Sequence, residues 1–309
     1  MKSTSAVLAA VLLSSCGALA AITIDGTRDA GYGAALSVQT VETGFGDNFS
    51  ELNAGYATIQ GGNLHLMLTG NLENNFNKLN VFIDSKVGGQ NQLSLINPGN
   101  DNWANKHNGF RFDAAFSADY MFILRNGGTQ FDLDYAQVGG GATSFDAYGN
   151  VFGGSTQGSA TTGAGANLGY AFGIAFNNSN GAGVVGGSAA ANQAAALAVT
   201  TGIELSIPLS ALGNPGLGDT IRISAMVNGS NHDYLSNQFL DGLAAPQGNL
   251  GGDGFGGYNG TVSAIDLNNY GGDQFFVITV PEPSTIMLLA VGSLVFFARV
   301  CRRDEKCGR

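Results

Sequence analysis

Apolar side chains recur at every second position along most of this chain, and that period leaves little freedom in the choice of fold. Leu64, Leu66 and Leu68 share one side of a segment, while His65, Met67 and Thr69 share the other. Phe110, Phe112, Ala114 and Phe116 alternate with Arg111 and Asp113, and Phe131, Leu133 and Tyr135 alternate with Asp132 and Asp134. Val199, Thr201, Ile203, Leu205 and Ile207 oppose Glu204 and Ser206, and Ile221, Ile223, Ala225 and Val227 oppose Arg222 and Ser224. Successive side chains of a strand point to opposite faces, so these runs predict half-buried antiparallel strands, apolar inward and polar outward. Leu79 to Ile83 predicts a central strand apolar on both faces. No long amphipathic helix breaks the pattern. Ala189 to Ala198 predicts one short helix, and Pro208 to Leu212 one helical turn at a sheet corner. The expected fold class is all-β, an antiparallel β-sandwich of ten or more strands.

Turns and loops follow from glycine. Gly61-Gly62-Asn63 and Gly127-Gly128 predict turns between strands. Residues 139 to 187 hold 15 glycines in 49 positions and predict a long loop or insertion, with a strand over Leu168 to Phe176. Residues 241 to 260 form a second glycine-rich loop. Its Gly251 to Tyr258 stretch is superficially like a calcium-binding nonapeptide repeat, but one copy cannot build the stack of turns such repeats need.

The two ends have a different character. Met1 to Ala20 carries Lys2, an apolar stretch from Ala6 to Leu13, and then small residues, the layout of a secretory signal peptide cleaved before Ala21. The alternative is a lipobox, Leu13-Ser14-Ser15-Cys16, with Cys16 lipidated. At the other end Pro281-Glu282-Pro283 precedes a charge-free apolar run from Ile286 to Ala298, followed by Arg299, Arg302 and Arg303. The prolines favour an extended, readable stalk. The run predicts a short transmembrane helix, with the arginines as a stop signal held on the cytoplasmic side. The chain therefore divides into a signal peptide (1–20), a β-sandwich domain (21–280) and a sorting tail (281–309). This tail resembles the PEP-CTERM signal of bacterial envelope proteins. The resemblance implies processing by an exosortase-type membrane enzyme, transient membrane anchorage, and delivery to the cell envelope, surface or extracellular matrix.

The body's side chains exclude several functions. Between residues 21 and 281 seven basic residues face twenty acidic ones, a formal net charge of −13, so nucleic acid is an unfavourable partner. The three cysteines, Cys16, Cys301 and Cys307, all lie in the two ends, which leaves the body without disulfide or thiolate chemistry. Metalloprotease, nucleophile-elbow and P-loop motifs are absent from the sequence. His65 is expected to face solvent, His107 and His232 to sit in loops, and none has the spacing of a ligand pair. Asp132 and Asp134 project from one strand face about 7 Å apart, within the range of glycosidase carboxylates, but a solvated acidic face of an acidic protein is the reading expected of them. Asp84, ending the central strand, suits a turn cap or an oxygen ligand for calcium. No catalytic residue, bound metal or required cofactor is expected, with calcium the one cofactor considered. Trp103, within Asn100-Asp101-Asn102-Trp103-Ala104-Asn105, is the candidate ligand contact, as an aromatic platform in a polar loop. Tyr32, Tyr148, Tyr234 and Tyr258 share loop-like surroundings.

Two body segments carry a second resemblance. Ile24-Asp25-Gly26 near the start and Glu204-Leu205-Ser206-Ile207-Pro208 late in the chain, with a central strand ending at Asp84, are similar to family-nine carbohydrate-binding and DOMON-like β-sandwiches. That likeness implies a sandwich and a carbohydrate ligand. The functional expectation is an exported, non-enzymatic envelope or matrix protein that binds extracellular polysaccharide. The alternatives are a carbohydrate-active hydrolase using Asp132 and Asp134, and a purely structural surface or biofilm component.

Overall fold

The computed structural model describes residues 20–282, apart from 98, 140–142 and 155. Residues 1–19 of the expected signal peptide, the expected membrane-spanning run, Pro283, Arg299, Arg302 and Arg303 lie outside the described residues. Among the described residues no helix is long and apolar enough to cross a membrane.

The alternating segments form strands, in chain order β1 (Ser37–Val38), β2 (Glu51–Gln60), β3 (Asn63–Asn71) and β4 (Lys78–Asp84). A short helix α1 (Trp103–His107) precedes β5 (Tyr120–Asn126), β6 (Phe131–Gln137), β7 (Ser144–Phe152), β8 (Gln157–Thr161) and β9 (Gly173–Asn177). The helix α2 (Gln193–Ala198) leads to β10 (Gly202–Pro208), β11 (Thr220–Asn228), β12 (Leu235–Leu240) and β13 (Phe276–Thr279). One sheet runs β1-β2-β3-β10-β9-β8 and the other β12-β11-β4-β5-β6-β7, with β13 also paired to β11. All these pairings are antiparallel.

The sheets pack face to face through the apolar sides read from the sequence. Leu64, Leu66 and Leu68 meet Leu79, Val81, Ile83, Phe122, Leu133, Tyr135, Ile203, Leu205, Ile221 and Ile223 in one buried core. The turns at Gly61-Gly62, the corner at Leu209–Leu212 and the short α2 stand where expected. Asn192 caps α2 by accepting a hydrogen bond from the Ala195 amide at 3.2 Å.

Several expectations need correction. The glycine-rich stretch is not one long loop, because β7 and β8 form within it and β9 starts at Gly173 rather than near Leu168. Phe110 to Phe116 is not a strand. Its three phenylalanines are buried, but they lie on top of the second sheet rather than in it. That sheet is consequently apolar on both faces. Phe82, Met121, Ile123, Ala136 and Met226 point away from the sandwich into a second core with Phe110, Phe112, Phe116, Leu235 and Phe239. Segments 85–119 and 241–275 supply most of this cover. Polar residues on the outer face of β4, β5 and β6 are thus enclosed, and they must find partners inside the protein.

On the first sheet Glu204, expected to face solvent, is fully buried. One of its carboxylate oxygens accepts the Asp25 and Gly26 amides at 2.9 and 3.0 Å, and the other accepts the Tyr32 hydroxyl at 2.7 Å. Burial raises its pKa. The chain start and the late Glu204 strand therefore meet in space, and the start covers part of the outer face of the first sheet.

Candidate functional site

Register places Asn228, Lys78, Arg125 and Asp132 in one row across β11, β4, β5 and β6. Neighbouring strands stand about 4.8 Å apart, so the row holds two cations side by side with a carboxylate beyond them. Arg125 donates to Asp132 through Nε at 3.2 Å and to Asp134 through Nη1 at 2.8 Å. Asp132 also accepts the Gln130 side chain at 2.7 Å and the Asn150 amide at 2.6 Å, and Asp134 accepts Asn100 at 3.3 Å. Both carboxylates are buried. Burial pushes the Asp134 carboxyl up, against the pull of Arg125. The solvated acidic face expected here is instead a closed charge network, which answers the enclosure of this face.

Lys78 is left without an equivalent partner. Its side chain is buried, yet among the described residues its ammonium makes no hydrogen bond and one ion pair, with Asp101 at 3.8 Å, while Asp134 and Asp132 act on it from farther away. Burial, reinforced by the adjacent Arg125 cation, holds its pKa down to about 8. It opens into a cleft of about 620 Å³ lined by Asn75, Phe76, Asp101, Gln130, Ser230 and Asn231 together with Lys78, Arg125 and Asp132. Phe76 stands at its edge, 39% exposed, with its ring centroid 5.7 Å from the Lys78 ammonium.

The β3–β4 connection fixes that ring. Phe76 has φ 67°, unusual for an aromatic residue, and its amide donates to Asn126 at 2.9 Å. Asn75 accepts the Asn77 amide at 2.9 Å in an Asx turn. Gly127 lies against the Cζ–Cε1 edge of the ring, where any side chain would strike it. The arrangement offers an exposed phenyl, an acceptor-seeking ammonium and amide side chains around one open hollow. A pyranose presents the complementary features, an apolar C–H face with a rim of hydroxyls.

The expected site residues are distributed differently. Trp103 is not exposed. It begins α1, is wholly buried, and packs edge-on against Phe145 at 6.1 Å. The short helix turns its apolar residues onto the second sheet, so the indole plugs the cover and does not meet a ligand from solvent. His107 and His232 are buried, 5.8 Å apart between ring centroids, whereas His65 is half-buried on the first sheet. His107 Nδ1 donates to the Trp103 carbonyl at 2.8 Å and Nε2 accepts from Asn80 at 3.1 Å, the tautomer this network requires. Both His232 nitrogens lack a partner among the described residues. No group of three or more metal-ligating side chains is assembled among them. Asp253 accepts the Phe255 and Gly257 amides at 2.8 Å, so the calcium-like stretch is a carboxylate-capped turn. Asp84 accepts the Ser117 amide at 3.2 Å and pairs with Arg222 at 3.4 Å. Of the four tyrosines expected in loops, Tyr258 is exposed, Tyr32 is buried, and Tyr148 and Tyr234 are half-buried.

Lys78, Phe76 and Arg125 escaped the reading from sequence. A weak signal existed: the body contains three lysines, and Lys78 begins its most apolar strand directly after Asn-Asn-Phe-Asn.

At the opposite end of β4 the chain leaves the body. β13 pairs with the first half of β11, and the buried Val280 donates its amide to Asp219 at 2.9 Å. Pro281 and Glu282 follow directly and are exposed. Residues 279–303 match the PEP-CTERM protein-sorting motif. This is an exported protein with a C-terminal sorting signal of the kind that exosortase, a membrane enzyme, processes. No curated protein and no solved structure matches the chain.

Proposed function

We propose that the protein is a non-enzymatic component of the cell envelope or extracellular matrix whose body binds extracellular polysaccharide in the Lys78 cleft. The observation that carries this reading is the buried Lys78 ammonium, without a hydrogen-bond acceptor among the described residues, facing an open hollow beside the exposed Phe76 ring. Such an ammonium gains most from a ligand dense in hydroxyl or carboxylate oxygens. The signal at 279–303 supports delivery to the place where such polymers are found.

A hydrolase would require a carboxyl group free to protonate a leaving oxygen. Asp132 and Asp134 are committed to Arg125, Gln130, Asn150 and Asn100, which favours the non-enzymatic reading. Binding needs no cofactor in this account, calcium included. The test is co-sedimentation of the secreted body, residues 21 to 280, with a panel of insoluble polysaccharides that includes the producing cell's own matrix, with and without a chelator. Saturable, chelator-insensitive binding without release of reducing sugar is expected. Sugar release abolished by Asp134→Asn would replace this reading with the hydrolase.

A further inference from the structure

The exit of the chain is flanked by loops that carry exposed apolar side chains. Val280 and Gly218 are joined by a hydrogen bond of 3.0 Å from the Gly218 amide to the Val280 carbonyl, and Leu217 beside it is 62% exposed. Lys86, Val87 and Gly88 line one hollow with Asp219, Thr220 and Arg222, and Val87 is 104% exposed. Val87 and Leu217 therefore lie on loops at the same end of the second sheet as Pro281, with β11 standing between the exit strand β13 and β4. The candidate cleft lies at the other end of the same strands, since β4 runs from Lys78 in the cleft to Asp84 at the exit. Six steps of about 3.3 Å along the seven residues of this strand separate the two ends by about 20 Å.

The sequence limits how far this end can stand from a bilayer. Six steps of chain separate buried Val280 from Ile286, where the apolar run begins. Fully extended they reach about 20 Å, and the headgroup layer takes up about 5–8 Å of that. A folded body on so short a tether meets the membrane with the end that carries the tether.

We infer that, while the tail is uncut, loops 86–88 and 213–218 rest in the headgroup layer with Val87 and Leu217 inserted, and the Lys78 cleft faces outward. The inference rests on the tail standing in the membrane before processing. Two apolar side chains bind too weakly to hold the body alone, so cutting the tail releases it. The seat also presents Pro281 to a membrane enzyme without unfolding of β13.

The test uses the full chain returned to phosphatidylcholine vesicles with brominated acyl chains. Tryptophan is placed by Val87→Trp, Leu217→Trp or, at the cleft end, Asn74→Trp. All three sites are exposed, and buried Trp103 supplies a constant background. Loss of emission is expected at 87 and 217 but not at 74, and a flexible Gly/Ser linker inserted between Val280 and Pro281 should abolish it. Flotation with the vesicles without quenching at 87 and 217, or equal quenching at 74, overturns the proposed seat. Failure to float overturns the membrane-held tail as well.

Discussion

At the scale of single residues, Glu51 and His107 are two buried titrating groups whose effects on stability oppose each other. Burial raises Glu51 to about 7 despite the amide donors of Asn53 and Asn180, and lowers His107 to about 4. The raised Glu51 contributes stability that is fully present below its unfolded pKa and is lost as pH rises through 7. The depressed His107 contributes stability that is present above its unfolded pKa and is lost as pH falls through 4. Each shift corresponds to about 3 kcal/mol at its limit. Between about pH 4.5 and 6.5 the two slopes cancel in large part. Relative to the unsubstituted protein, Glu51→Gln should therefore shift the pH dependence of the melting temperature across this window toward a rise with pH, and His107→Gln toward a fall, both read by thermal denaturation. Arg125 permits a simpler test. Arg125→Met strands Asp132 and Asp134 in the second core, and urea denaturation should show a loss of about 3–5 kcal/mol. Sequence revealed the pairing of these two carboxylates on one strand face but not their burial. Alternating aspartates look the same whether water or a covering loop lies above them.

Among the elements, the inter-sheet core was legible because period-two patterning records one buried face directly. The second core was not, because its covering segments are irregular and their apolar residues have no fixed period to follow. Phe110, Phe112 and Phe116 happen to alternate, yet they pack as a loop, the first two onto Phe82 and Phe116 onto Phe112 and Phe275. Trp103 was misplaced for the same reason: its polar neighbours describe the outer side of α1, while the helix turns the indole inward. Strand β10 is central to the first sheet and tightly fitted. A side chain at Gly202 would meet the backbone of Leu68 and Thr69, which cannot move aside as a flexible side chain can. Gly202→Val should cost about 2–3 kcal/mol by urea denaturation, near the upper range for overpacking.

For the whole molecule, the strands of the second sheet separate the chain exit at one end from the proposed binding cleft at the other. The sorting signal was readable because its order of prolines, apolar run and arginines is contiguous in sequence. The cleft was not, since the Phe76–Lys78 segment, Asp101, Arg125 and Asn231 are far apart in sequence and only strand register, the covering segment and the β11–β12 loop bring them together. Pro281→Ala combined with Pro283→Ala should leave the protein uncleaved and in the membrane fraction, detected as a full-length band on immunoblot. Titration calorimetry of the secreted body with the polysaccharide it sediments with, compared with its Lys78→Met variant, tests the cleft most directly. Losing a charge-assisted hydrogen bond of about 1.5–3 kcal/mol should weaken binding roughly 10- to 150-fold in a variant whose melting temperature does not fall. Equal affinity of the two proteins would contradict the assignment of the Lys78 cleft as the polysaccharide site.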